Sequence, residues 1–227
     1  MIEIPKDIHE FIAQTGVDFT HSPISAMQRL YSILLEGNAI SNLTRVTDIE
    51  DYWQRHIADS LLILKEFPEL LTAQIRIADV GCGGGFPILP LAWACPNLQI
   101  VGIEARGKKT TFIETAAKKL KLKNVSILNM QAREAGRTAG FANAFDLVVL
   151  RAVGTSGKML KECKGLIKQK PNCGMISFKT PASAKEEFEL ASREAKKFGF
   201  DYQESKTYKL PGPSDAGERL FVSLIWK

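Results

Sequence analysis

"IADVGCGGGFPILPLA" (residues 77–92) places four glycines in the five positions 81–85, directly behind an apolar run. The residues before them, "IRIADV" (75–80), read as a buried strand, and "PILPLA" reads as the start of a helix opened by Pro87. The stretch is therefore a strand, a glycine turn and a helix. Glycine reaches backbone angles closed to other residues and lets a ligand lie against the main chain. The helix that follows offers free N–H groups and a positive dipole end. In an open parallel sheet, this crevice beyond the strand's carboxyl end is where ligands bind.

Working outward, "QIVGIEA" (99–105), "NVSILNM" (124–130), "AFDLVVLRA" (144–152) and "CGMISFK" (173–179) also read as strands. Helical patterns fall between them near 87–94, 107–121, 155–168 and 183–198. Such alternation predicts an α/β fold with a doubly wound, mostly parallel sheet. Beyond residue 200, "DYQESKTYKL" (201–210), the loop "PGPSDAGER" (211–219) and "LFVSLIW" (220–226) give consecutive strands with no helix between them, an antiparallel closing pair. Residues 1–72 read as helical and are expected to form a segment packed on a core of residues 73–227. In "SPISAMQRLYSILLEGN" (22–38), Ser22 is the expected N-cap and Pro23 the first helical residue. In "TDIEDYWQRHIADSLLILKEF" (47–67), Thr47 and Glu50 form an expected capping box, with the polar turn "NAISNLT" between the two helices. Tyr52 and Trp53 are expected in the core.

The hydrophobic fraction of 45% and charged fraction of 24% are ordinary for a soluble globular chain. No apolar run is long enough to span a membrane, and "MIEIPKDIHEF" lacks the apolar stretch of a signal peptide. A cytoplasmic protein is expected, and a monomer. Cys82, Cys95, Cys163 and Cys173 form no C-x-x-C pair, and His9, His21 and His56 are scattered, so neither a metal site nor disulfides are expected. The net charge of +5 permits a nucleic-acid partner without demanding one. Basic residues do cluster in 106–123, at Arg106, Lys108, Lys109, Lys118, Lys119, Lys121 and Lys123, against the single acid Glu114. Such a run is either a solvated helix face or a phosphate-contacting one.

Gly81, Gly83 and Gly85 follow G-x-G-x-G spacing, one residue shorter than the usual dinucleotide fingerprint. Glu104 ends the second strand about 20 residues on, where an acid grips a ribose diol. Asp79 sits just before the glycines, where it would repel a pyrophosphate and suit a cationic amine or sulfonium. Glu104 points to a ribose, and the glycine spacing and Asp79 favour S-adenosylmethionine over NAD.

Further motifs are spread along the chain: "SNLT" (41–44), "RHIADS" (55–60), the glycine turn with Phe86-Pro87, "EARGKKTTFIE" (104–114), "LRAV" (150–153) and "GERLFV" (217–222). By these motifs the chain resembles the RsmG (GidB) family, bacterial guanine-N7 methyltransferases of 16S small-subunit ribosomal RNA. The resemblance implies a Rossmann-like class I methyltransferase fold. It further implies that Gly81, Gly83 and Phe86 line the methionine and ribose end of the cofactor, with Glu104 and Ala105 at the ribose. Ala132 and Arg133 would flank the adenine, and Arg151 would close the pocket near the methyl group. Arg55 and His56 become site residues that fold over cofactor or substrate. This chain departs from the family pattern at Glu104-Ala105 (more often Asp-Ser), at Ile88 (often Gly) and at Arg133 (usually Glu).

Guanine N7 carries an exposed lone pair and no proton, so its methylation needs no general base. After the fourth strand the chain reads "VVLRAVG", without the Asn/Asp-Pro-Pro-aromatic motif of amine methylation, and it has no Pro-Cys dipeptide of pyrimidine C5 methylation. Both absences favour a ring nitrogen. Lys108, Lys109, Lys179, at the end of strand five, Arg55, and Arg219, at the start of the last strand, are the candidate contacts to 16S rRNA or to the small subunit. Competing readings are a methyltransferase for a small molecule or protein on the same fold, and a non-catalytic rRNA-binding assembly protein.

Overall fold

The computed structural model describes residues 3–212 and 217–227. Along the chain these form α1 (Lys6–Gln14), α2 (Ser25–Ser41) and a helical run over 49–66, called α3, whose middle section Tyr52–Ala58 is π-helical. Then come β1 (Arg76–Val80), α4 (Ile88–Ala94), β2 (Gln99–Ile103), α5 (Gly107–Lys119), β3 (Val125–Leu128) and α6 (Ala132–Ala135). After these follow β4 (Leu147–Arg151), α7 (Ser156–Cys163), β5 (Gly174–Lys179), α8 (Pro181–Lys197), β6 (Phe200–Glu204), β7 (Tyr208–Lys209) and β8 (Glu218–Trp226). The sheet order is β3-β2-β1-β4-β5-β8-β6, with β7 paired to β8. Strands β1 to β5 are parallel, and β8 is antiparallel to both neighbours.

The central strands β1, β2, β4 and β5 are mainly apolar because both their faces are covered. Their period of two sends Ile77, Leu147, Val149 and Ile176 to one side, packed with α1–α5. Ala78, Val80, Val148, Leu150 and Met175 go to the other, packed with α7 and α8. The chain reverses winding direction between β1 and β4, so the crevice above their carboxyl ends is open. The doubly wound sheet expected from the alternation is therefore the one that forms. No described helix is long and apolar enough to cross a membrane.

Local details differ from the expectations at several places. Ser22 does not cap α2; its hydroxyl donates to the Trp93 carbonyl at 2.6 Å, and the helix begins at Ser25. Residues 38–41, expected in a turn, continue α2, which ends where Asn42 takes a left-handed conformation (φ 46°). Asp48, not Thr47, caps α3, accepting from the Glu50 and Asp51 amides at 2.8 and 3.2 Å. Tyr52 and Trp53 are fully buried, in the core as expected. The closing pair is a trio, because the expected strand 201–210 breaks into β6 and β7, both laid on β8. Part of the expected loop 211–219 lies outside the described residues.

Candidate active site at the glycine turn

A cavity of about 480 Å³ opens at the switch point above β1 and β4. Its lining includes Gly81, Gly83, Phe86, Glu104, Lys109 and Arg151. The three spaced glycines serve different ends. A Cβ on Gly81 (φ +72°) would stand 2.3 Å from Val153 Cγ1, and one on Gly85 (φ +89°) 2.6 Å from Leu89 Cδ1. Those two are bare because protein packs against them. A Cβ on Gly83 (φ +55°) would meet nothing nearer than the Gly81 carbonyl at 3.6 Å and Lys109 Nζ at 3.9 Å. Gly83 is bare toward the cavity.

Glu104 is drawn onto the turn. Its Oε2 accepts from the Gly83 amide at 3.1 Å and its Oε1 from the Arg106 amide at 3.0 Å. The carboxylate is thereby fixed at the end of β2 with lone pairs left for a diol. Asp79 lies beneath, 2% exposed, with no hydrogen-bond partner for Oδ2. Burial pushes its carboxyl up to about 7, against the opposing pull of the Arg151 charge and the Ile88 amide.

A carboxyl held above its ordinary 3.8 favours the folded state below that value, and the benefit is lost as pH rises through about 7. Asp79→Asn removes the buried ionisation. Relative to the parent, its melting temperature should rise from about pH 5 to about pH 8. Parallel melting curves at both pH values would show that Asp79 ionises without penalty.

The opposite wall is built from α3 and β4. His56 stacks on Phe86, centroids 4.2 Å apart and planes 6° from parallel. Its Nε2 is 3.0 Å from Thr44 Oγ1, and its Nδ1 is 3.4 Å from Arg151 Nη2. Burial first, and the Arg151 charge second, push the imidazole down to about 3, so it is neutral at physiological pH. It is an apolar wall and a hydrogen-bonding group, not a cation. Arg151 Nη1 donates to the Arg55 carbonyl at 2.8 Å and to Asp59 Oδ2 at 2.9 Å. Asp59 Oδ1 accepts from Arg219 Nε at 3.0 Å. One buried carboxylate thus joins arginines from the end of β4 and the start of β8.

Of the residues singled out in the sequence, Gly81, Gly83, Phe86, Glu104, Lys109, His56 and Arg151 share the cavity wall, and Arg219 is tied to it through Asp59. Arg55 gives its carbonyl to Arg151, while its side chain turns outward to Asp51 at 2.9 Å. The other candidates lie outside that lining or are held by protein partners. Gly85 is a packing position against α4. Ala105 is exposed and outside the cavity lining. Ala132 and Arg133, on α6, are also outside that lining, and Arg133 faces Glu162 on α7 at 3.8 Å. Lys179 is not presented to solvent, because its amine is taken by the Gly154 carbonyl and by Glu187. Lys108 is exposed and faces the adjoining groove between α2 and α5, beside Ile40 and Lys119.

Asp59 and Thr44 were not singled out. Both lie in quoted motifs, but nothing in spacing assigns them. Arg55 pairs with Asp51, one turn back along the helix, and Asp59 goes to Arg151 and Arg219.

Comparison with protein families matches residues 23–210 to the model described as GidB, rRNA small subunit methyltransferase G. A "Ribosomal RNA small subunit methyltransferase G" from Lactobacillus johnsonii is 30% identical over 221 residues, covering 97% of this chain and 91% of that one. A protein of the same description from Lachnoclostridium phytofermentans is 31% identical over 196 residues, covering 86% and 79%. Among solved structures, a "SAM dependent methyltransferase" from Aquifex aeolicus is similar with a TM-score of 0.59. That match is 17% identical and covers 82% of this chain and 98% of that one, so the likeness is one of fold.

Proposed function

The chain belongs to the GidB family, rRNA small subunit methyltransferase G, and from that premise we propose that its switch-point cavity transfers a methyl group from S-adenosylmethionine to N7 of a guanine in 16S rRNA. The convergence of Glu104, the open Gly83 and the Asp59-linked arginines on one cavity carries the reading. The residues present fit the cofactor. The space above Gly83 admits it, Glu104 offers a fixed carboxylate to a ribose diol, and Asp79 Oδ2 is a buried oxygen without a partner, suited to an ammonium. The bound cofactor supplies an electrophilic methyl carbon on a sulfonium.

What remains for the protein is alignment and exclusion of water. Phe86, stacked with His56, forms a rigid apolar wall. Arg151 and Arg219 present N–H donors to the acceptor edge or the phosphates of a guanine nucleotide. No side chain has to take a proton, because N7 has none to give. The neutral His56 is consistent with that. The methylated base is cationic, and the Glu104 carboxylate on the cavity wall offsets its charge.

Nucleoside analysis tests the reading. The protein is incubated with methyl-labelled S-adenosylmethionine and small subunits from cells lacking its gene, and the RNA is digested. Label is expected in 7-methylguanosine. Cofactor binding without RNA label would move the assignment to a small-molecule or protein substrate. Neither binding nor label would leave a non-catalytic rRNA-binding protein.

A further inference from the structure

Lys179 stands at the end of β5, on the ligand edge of the sheet, yet its side chain is only 10% exposed and its partner Glu187 4%. Lys179 Nζ donates to the Gly154 carbonyl at 2.7 Å and to Glu187 Oε2 at 2.8 Å. Glu187, on α8, also accepts from the Ser156 amide at 3.2 Å and from the Ser156 hydroxyl at 2.6 Å. These bonds grip residues 154 and 156 of the segment that leaves β4. The segment is conformationally demanding: Ala152 has φ +58° and Gly154 φ +126°. Thr155, at the N-cap of α7, makes no side-chain cap bond, and Glu187 supplies the missing acceptor from another helix. Between the gripped residues and Arg151 lie Ala152 and Val153, both lining the cavity. Val153 also fills the space that a Gly81 side chain would need.

We propose that Lys179 and Glu187 are a positioning pair that holds the 152–156 segment against the glycine turn, and so shapes the cofactor site without touching cofactor or RNA. The proposal rests on the cavity being the S-adenosylmethionine site. A buried ion pair of this kind is weak as a source of stability, since apolar residues of similar volume often replace both partners without loss. Its three hydrogen bonds to the Gly154 carbonyl and to the Ser156 amide and hydroxyl are what apolar residues cannot reproduce. The pair therefore acts through geometry.

The test compares the parent protein, Lys179→Met, and the double variant Lys179→Met/Glu187→Met. For each, the melting temperature, the S-adenosylmethionine Kd by calorimetry without RNA, and the salt dependence of 16S rRNA binding are measured. Lys179→Met leaves Glu187 buried and unpaired, so its melting temperature should fall and its cofactor Kd rise on the order of 10-fold. In the double variant the melting temperature should recover toward the parent's while the cofactor Kd stays raised. The salt slope should be that of the parent in both. A cofactor Kd that recovers together with stability, or that never changes, would overturn the proposal. So would a salt slope lowered by about one with the Kd unchanged, the signature of a lost phosphate contact. Failure of the parent itself to bind S-adenosylmethionine would overturn the cofactor reading, and the positioning role with it.

Discussion

Gly83→Val is expected to abolish S-adenosylmethionine binding while leaving a folded protein. A Cβ there meets no atom closer than 3.6 Å and points into the cavity, so the added bulk fills the cavity rather than forcing the packing apart. The backbone at φ +55° charges a β-branched residue about 1–2 kcal/mol, a tolerable loss for a domain of this size. The Gly83 amide, which donates to Glu104, lies at the point where the ribose would rest. Bulk there displaces the ligand from its acid, and a Kd increase above ~100-fold is expected from calorimetry. The neighbouring glycines give the contrast. Gly81→Ala drives a methyl to 2.3 Å from Val153 and Gly85→Ala one to 2.6 Å from Leu89, so both should lower the melting temperature before they affect affinity. Retained binding in a folded Gly83→Val protein would reject the cofactor's placement on this turn.

The same turn explains why the fold was legible. A doubly wound sheet announces itself through short apolar runs separated by helical ones, because both faces of each central strand need cover. β1 and β4 contain only one charged residue each that the sheet buries or half-buries, Asp79 and Arg151 apart from the edge residue Arg76, and both belong to the cavity region. The acid at the end of β2 could be placed by counting, since strand and helix lengths set the spacing to the next carboxyl edge.

What failed were readings that depend on which partner wins a polar side chain. Ser22 has the composition of an N-cap, but Trp93, distant in sequence, offers its carbonyl and takes the hydroxyl. Lys179 stands at the ligand edge as expected for a phosphate contact, but two acceptors on other elements take its amine first. Local spacing carries no information about any of these competitors, each of which arrives from another element of the fold.

Asp59→Asn is expected to lower kcat by on the order of 100-fold while leaving cofactor affinity in the absence of RNA nearly unchanged. Each Asp59 oxygen accepts from a different arginine, Oδ2 from Arg151 Nη1 and Oδ1 from Arg219 Nε. An asparagine has one carbonyl oxygen, and its amide group would face a second donor, so only one arginine can be kept. Arg151 has independent support from the Arg55 carbonyl and lies 5.9 Å above the Phe86 ring. Arg219 has its own second bond, to the Glu218 carbonyl at 3.0 Å, so the substitution loosens the link between the two arginines rather than freeing either one. The stability loss should be about 2 kcal/mol, between that of a fully buried broken pair and a surface one, because the arginine side chains are 16% and 20% exposed. If Asp59 acts by orienting Arg219, adding Arg219→Met to Asp59→Asn should reduce kcat little further than either change alone. Multiplying effects in the double variant would show that the two residues contribute separately, and an unchanged kcat in Asp59→Asn would remove the paired arginines from the chemistry.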